Sequence, residues 1–195
     1  MLPWLALFAV AGPQPYFPPQ YGRMPVTCAN GRVVPAFDTS TRDRYGRMFE
    51  NAEEPSLYVK AVRGDADSLR FTWIPAFDPP VTVRIEGLRT ASPRMVAVRF
   101  GAGDGAELGR IIDRMSRLLS VAEAEGLRRR LLASNPLTLT SAECDMGVDG
   151  AEWIVERAVG RRYKMIARNS PSNGPIRSTG MAMLRLTGWT FANIY

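Results

Sequence analysis

The sequence predicts an α+β fold: an antiparallel sheet covered by two consecutive helices, followed by a C-terminal β-hairpin and a closing helix. Three observations predict it. First, residues 57–62 (LYVKAV), 68–74 (SLRFTWI), 81–86 (VTVRIE) and 94–100 (RMVAVRF) are rich in β-branched and aromatic residues and alternate in polarity. Gly64-Asp65, Asp78-Pro79-Pro80 and Ser92-Pro93 separate them, and such short connections suit antiparallel neighbours. Second, the period changes after Ala106 to the spacing of an amphipathic helix. Third, the last quarter alternates strand-like runs with turn signals and ends in a second amphipathic pattern. At 195 residues the chain suffices for one well-buried domain and falls short of two comfortable ones.

Residues 1–11 read as a signal peptide. The run MLPWLALFAVAG is shorter than the roughly 20 residues a membrane span requires, and Ala9 and Ala11 provide small residues for cleavage after Ala11. No Lys or Arg precedes the run and Pro3 interrupts it, so an upstream start or a buried N-terminal strand is the competing reading. The expected location is periplasmic or secreted, and cytoplasmic if 1–11 is not a signal peptide. Residues 12–27 contain GPQPYFPPQYGRMP, a Pro-rich arm of extended polyproline character that serves as a linker or docks in a partner's groove. The single α+β domain then spans 28–195. It begins with a short hairpin around Asn30-Gly31 and a loop or short helix over 42–51.

Cys28 and Cys144 lie far apart and form no C-x-x-C motif. In an oxidising compartment they most simply pair with each other; two buried thiols are the alternative.

In 81–86, Val81, Val83 and Ile85 share one side while Thr82, Arg84 and Glu86 share the other, the pattern of a sheet with one solvated face. The first helix carries Leu108, Ile111, Ile112, Met115, Leu118 and Leu119, with Arg110, Arg114 and Arg117 opposite. Ser120 and Glu123 have the form of a capping box that opens the second helix. That helix carries Leu127, Leu131 and Leu132 and stops at Ser134-Asn135-Pro136. The two helices are expected to cover the buried face of the sheet.

The charge is +6, with a pI near 9.8. Of the 25 basic residues, only Lys60 and Lys164 are lysines. An Arg bias beside abundant Ala, Gly and Pro fits a GC-rich coding sequence, so the excess charge is weak evidence for a nucleic-acid surface. Arg128-Arg129-Arg130 with Arg110, Arg114 and Arg117 form the best basic patch, diluted by Asp113, Glu123 and Glu125. No RNA-binding, zinc-finger or helix-turn-helix signature accompanies it. The chain contains no His, which removes Ser-His-Asp and Cys-His chemistry and most zinc sites.

Two motifs invite a ligand. Residues 101–106 match G-x-G-x-x-A after a strand, but a second helix follows where a parallel strand ending in an acidic residue is required. Asp145, Gly147, Asp149, Gly150 and Glu156 follow much of the calcium-loop spacing, yet Gly147 supplies no side-chain oxygen and the flanks look extended. A turn is the simpler account of both. Glu143, Asp145, Asp149, Glu152 and Glu156 form an acidic cluster able to line a cleft, with solvated strand carboxylates as the default. Alternation puts Glu152 and Glu156 on the side of Ile154, away from Trp153 and Val155.

The C-terminal hairpin is expected from Asp149-Gly150, a run over 153–159, Gly160-Arg161 and a second run over 163–168 ended by Ser170-Pro171. Gly174-Pro175 opens the closing helix, which uses Ile176, Met181, Met183, Leu184 and Leu186, and Gly188 suits its C-terminus. The pattern Asp149-Gly150-x-x-Trp153-x-x-Glu156, with Tyr163, Ser170-Pro171, Gly174-Pro175 and the Leu-rich helix, resembles the C-terminal half of small uncharacterised proteins from proteobacteria. The resemblance covers residues 127–189 and implies a fold module without an activity or a catalytic residue.

The sequence assigns no catalytic, cofactor-binding or metal-ligating residue. The expected role is an exported non-enzymatic binding or accessory protein with a protein or envelope ligand and no transmembrane span. A carboxylate-dependent hydrolase of the cell envelope and a cytoplasmic nucleic-acid binder using an Arg-rich helix face are the alternatives.

Overall fold

The structure, a computed structural model, describes residues 15–101, 109–144 and 149–195. A short hairpin, β1 (Pro25–Thr27) and β2 (Val33–Pro35), precedes two helices, α1 (Thr39–Asn51) and α2 (Leu57–Arg63). Three strands follow, β3 (Ala66–Pro75), β4 (Val81–Glu86) and β5 (Arg94–Phe100), then β6 (Ile111–Leu118) and α3 (Val121–Ser134). The chain ends with β7 (Ala151–Gly160), β8 (Arg162–Asn169) and α4 (Gly174–Leu186). Among the described residues the main sheet has six strands in the order β6-β5-β4-β3-β7-β8, each pair antiparallel. The α+β class, the C-terminal hairpin and the closing helix therefore stand.

One face of this sheet is apolar. Leu69, Phe71, Trp73, Val83, Ile85, Met95, Trp153, Val155 and Ile166 pack there against Ala124 and Leu127 of α3 and Ile176, Met183 and Leu184 of α4. Gly180 allows the close approach of α4, because a Cβ at that position would fall within 2.6 Å of the Phe71 and Trp153 rings. The chain beyond α4 returns over the same layer, where the Trp153 indole N–H donates to Tyr195 O at 2.8 Å.

The other face, expected to be solvated, is covered. Val98, Phe100, Ile154, Met165 and Ala167 pack against Phe17, Tyr21 and Phe37 and against Tyr45, Met48 and Phe49 of α1. Leu57 and Ala61 of α2 close over Ala66 and Ala158. Thr82 and Arg84 are buried together with Arg70 and Glu156, so the polar alternation in β4 marks a charged interior and not a wet surface. The Pro-rich arm contributes to that cover. Phe17 is buried and stacks edge-on with Phe37, while the Tyr16 hydroxyl accepts a hydrogen bond from Arg70 Nη1 at 2.7 Å. From residue 15 onward the arm is thus part of the domain. Residues 1–11, the signal-peptide reading, lie outside the described residues.

Two expected elements take the other form. Residues 57–62 are helical: the Ser56 hydroxyl accepts from Val59 N, Gly64 ends the helix at φ 92°, and Leu57 and Ala61 form its buried side. Seven residues between two good caps follow the caps and the packing, which override β-propensity. The stretch expected to be the first covering helix is instead β6, so one helix, α3, follows it and not two. Strand β6 lies at the sheet edge and is largely exposed on both sides, so no alternation was imposed on its sequence. The capping box at Ser120 and Glu123 forms as expected and starts α3 directly after the strand.

Candidate functional site

The two covering layers leave a cleft of about 670 Å³ at one end of the sheet. Its walls come from β2 and the first turns of α1 on one side, and from the end of β3, the start of β7 and the end of β8 on the other. Each wall is fixed by local chemistry. Asp38 caps α1, its Oδ1 accepting from Thr41 N at 3.0 Å and from the Ser40 hydroxyl at 2.5 Å. Partial burial works to raise the Asp38 carboxyl, and these hydrogen bonds outweigh it, so its pKa falls below the ordinary value. Gly150, at φ 140°, turns the chain into β7, where Ala76 N–H donates to Gly150 O and Ala151 N–H to Ser170 Oγ, each at 2.8 Å.

Two polar pairs line this space. The Tyr45 hydroxyl donates to Glu152 Oε2 at 2.6 Å, and the Arg44 guanidinium lies over the Tyr45 ring at 5.1 Å. Burial, and then the adjacent Glu152 carboxylate, push the Tyr45 phenol well above its usual range. Arg168 Nη2 pairs with Glu143 Oε1 at 3.0 Å and donates to Thr140 O at 3.0 Å. Burial lowers the Arg168 pKa despite the opposing effect of Glu143. Cys144 also lines the cleft and forms a disulfide with Cys28, with the Cα atoms 5.1 Å apart. The bond ties the β1–β2 hairpin to the segment that leads into β7.

The acidic cluster is thus divided. Glu143, Asp149 and Glu152 line the cleft, and Asp145 lies outside the described residues. Glu156 is withdrawn into the covered face, where Arg70 Nε and Nη2 grip it at 2.5 and 2.8 Å and the Tyr163 hydroxyl donates to it at 2.8 Å. Glu156, which stands at the last position of the calcium-loop spacing, is therefore engaged in an ion pair, in keeping with the turn reading of that motif. Gly101 is described, but residues 102–106 of the G-x-G-x-x-A motif lie outside the described residues. Among the described residues no group of three or more acidic or Cys side chains is placed to hold a metal ion.

The basic patch is also dispersed. Arg114 and Arg117 sit on a strand, not a helix face. Arg117 pairs with Glu123 at 2.7 Å, Arg128 Nε donates to Leu88 O at 2.8 Å, and Arg130 Nη1 donates to Ser178 Oγ at 3.0 Å. Sequence reasoning missed Asp38, Arg44, Tyr45 and Arg168 as cleft residues. The Asp38 cap was readable beside the Thr39-Ser40-Thr41 run, whereas Tyr45 and Glu152 are 107 positions apart and share no local signal. Among the described residues, no helix is long and apolar enough to cross a membrane. Searches with protein-family profiles and against curated proteins find no match.

Proposed function

We propose that this is an exported, non-enzymatic binding or accessory protein that takes a polar ligand of the cell envelope in the cleft. The observation that carries the reading is a cleft whose wall is held by a disulfide and whose lining includes two pre-formed polar pairs, Tyr45–Glu152 and Arg168–Glu143. Paired, pre-positioned polar groups around a concave surface suit recognition, because little ordering remains to be done on binding. Asp38, Glu143, Asp149 and Glu152 outnumber Arg44 and Arg168 there, in a chain of net charge +6, which favours a ligand bearing a cationic group. A disulfide between residues 116 positions apart fits an oxidising compartment.

A second reading, a carboxylate-dependent envelope hydrolase, is favoured by the contact of Tyr45 with Glu152 inside the cleft. One experiment separates the two. The oxidised protein is titrated with soluble envelope fragments, amino sugars and short peptides, while NMR follows its amides and chromatography follows the fragments. Saturable shifts at Tyr45, Glu152 and Arg168 without turnover support the binding protein. Turnover abolished by Glu152→Gln supports the hydrolase, and shifts confined to other surfaces contradict both. Intact mass from the native host tests export: residues 1–11 should be gone, and both thiols should label only after reduction.

A further inference from the structure

The two edges of the main sheet are treated differently. At the β8 edge, Met165 N–H donates to the Tyr21 hydroxyl at 3.2 Å and Ala167 N–H to Ser141 O at 2.8 Å, so the chain itself covers that edge. At the β6 edge no described strand pairs with the outer side. Leu119 N–H bonds Pro93 O at 2.8 Å, and the alternation from there turns Met115 and Arg117 toward β5 and the backbone of Arg114 and Ser116 outward. A register shift at Arg99/Phe100 ends the regular stretch near Ile112. Ile112 is 48% exposed and Leu118 55%, an unusual load of apolar surface for an uncovered edge.

The sequence of this edge is complementary to itself. Antiparallel pairing about a twofold axis at Met115 sets Asp113 opposite Arg117, Ile112 opposite Leu118 and Arg114 opposite Ser116, each pair occurring twice. Shifting the axis to Arg114 stacks Arg114 on its own copy and leaves Asp113 opposite Met115. Shifting it to Ser116 sets Asp113 opposite Leu119. Charge and apolar matching therefore select one register. We propose that two copies of this chain associate through β6 in that register, joining their six-stranded sheets into one continuous sheet across a twofold axis.

The register makes a positional prediction. With the outward-facing backbone of Arg114 and Ser116 carrying the new hydrogen bonds, Met115 meets its own copy at a non-hydrogen-bonded position, with Cα atoms about 4.5 Å apart. That is within disulfide reach. The test uses the full oxidised protein. Sedimentation should show a concentration-dependent dimer. Met115→Cys should cross-link to a covalent dimer under mild oxidation, whereas Arg114→Cys should not. Asp113→Arg, a change at an exposed position, sets like charges opposite each other twice and should raise the dimer dissociation constant about tenfold or more. A monomer at every concentration up to the solubility limit overturns the proposal. So does a dimer that ignores Asp113→Arg and cross-links through Arg114→Cys in place of Met115→Cys.

Discussion

The two faces of the main sheet are both buried, but by different means. The α3–α4 face is closed by apolar shape, with Trp153, Phe71 and Met183 in contact through a helix brought close by Gly180. The α1–α2 face combines an apolar patch with a charged interior, in which Arg70 is fully buried between Glu156, Tyr16 and Pro55 O. Arg84 holds Glu54 beside it, its Nε 2.7 Å from Glu54 Oε2. The Arg70 guanidinium also lies over the Phe49 ring at 4.2 Å. Apolar burial is non-directional and tolerates repacking, whereas a buried ion pair demands its partner. The charged face therefore fixes where α1 and the N-terminal segment sit, and with them one wall of the cleft.

The largest expected effect comes from the covalent tie, which joins the β1–β2 hairpin to the segment leading into β7. Replacing Cys28 and Cys144 by Ser releases a sequence separation of 116 residues and should cost about 4–5 kcal/mol in the chain-entropy view, measured by urea unfolding. The cleft amides should shift in the same variant, while those of α4 should not.

Truncation next contrasts the faces directly. Trp153→Ala removes a fully buried ring and should cost about 3–5 kcal/mol. Glu156→Ala leaves Arg70 charged in the interior and should cost a similar ~3–5 kcal/mol for an electrostatic reason. At alkaline pH the faces should part. Burial, and then the Glu156 charge, raise the Tyr163 phenol, and burial raises Tyr16, so both stay protonated in the fold above their ordinary value of 10.0. Their contribution is full below pH 10 and is lost as the pH rises beyond it, because only the unfolded chain ionises there. Phenolate absorbance should appear together with unfolding, and Tyr163→Phe should flatten the dependence.

The smallest effect is at the start of α3. Ser120→Ala removes a formed cap and should cost about 1 kcal/mol without disturbing the cleft. Glu123, held near a pKa of about 2 first by Arg117 and then by the Ser120 backbone, adds stability above its ordinary 4.5 that is lost as the pH falls toward 2.

Local signals were legible where they agreed with the packing. The Asp149-Gly150 and Gly160 turns with the alternation between them specified β7 and β8, and the capping box specified the start of α3. They failed where the environment was one-sided. On β6, Ile111, Ile112, Met115 and Leu118 matched a helical period because an exposed edge imposes no alternation. On β4, Arg84 read as solvated because its partner comes from a distant segment: Glu54 lies thirty positions before it. The cleft was legible only in part. Glu143, Asp149 and Glu152 stood together in the sequence, but Tyr45 reaches Glu152 through the tertiary fold alone.

The buried Arg84–Glu54 pair, and not apolar area alone, seats the second layer on the sheet. The most direct measurement is a double-mutant cycle of Arg84→Leu on β4 and Glu54→Leu after α1 by urea unfolding. Each single change should be severe, and the double variant should be more stable than the sum of the two by about 1–3 kcal/mol, because removing both charges leaves neither bare. Additivity to within about 0.5 kcal/mol would show that the two side chains act independently and would contradict that role.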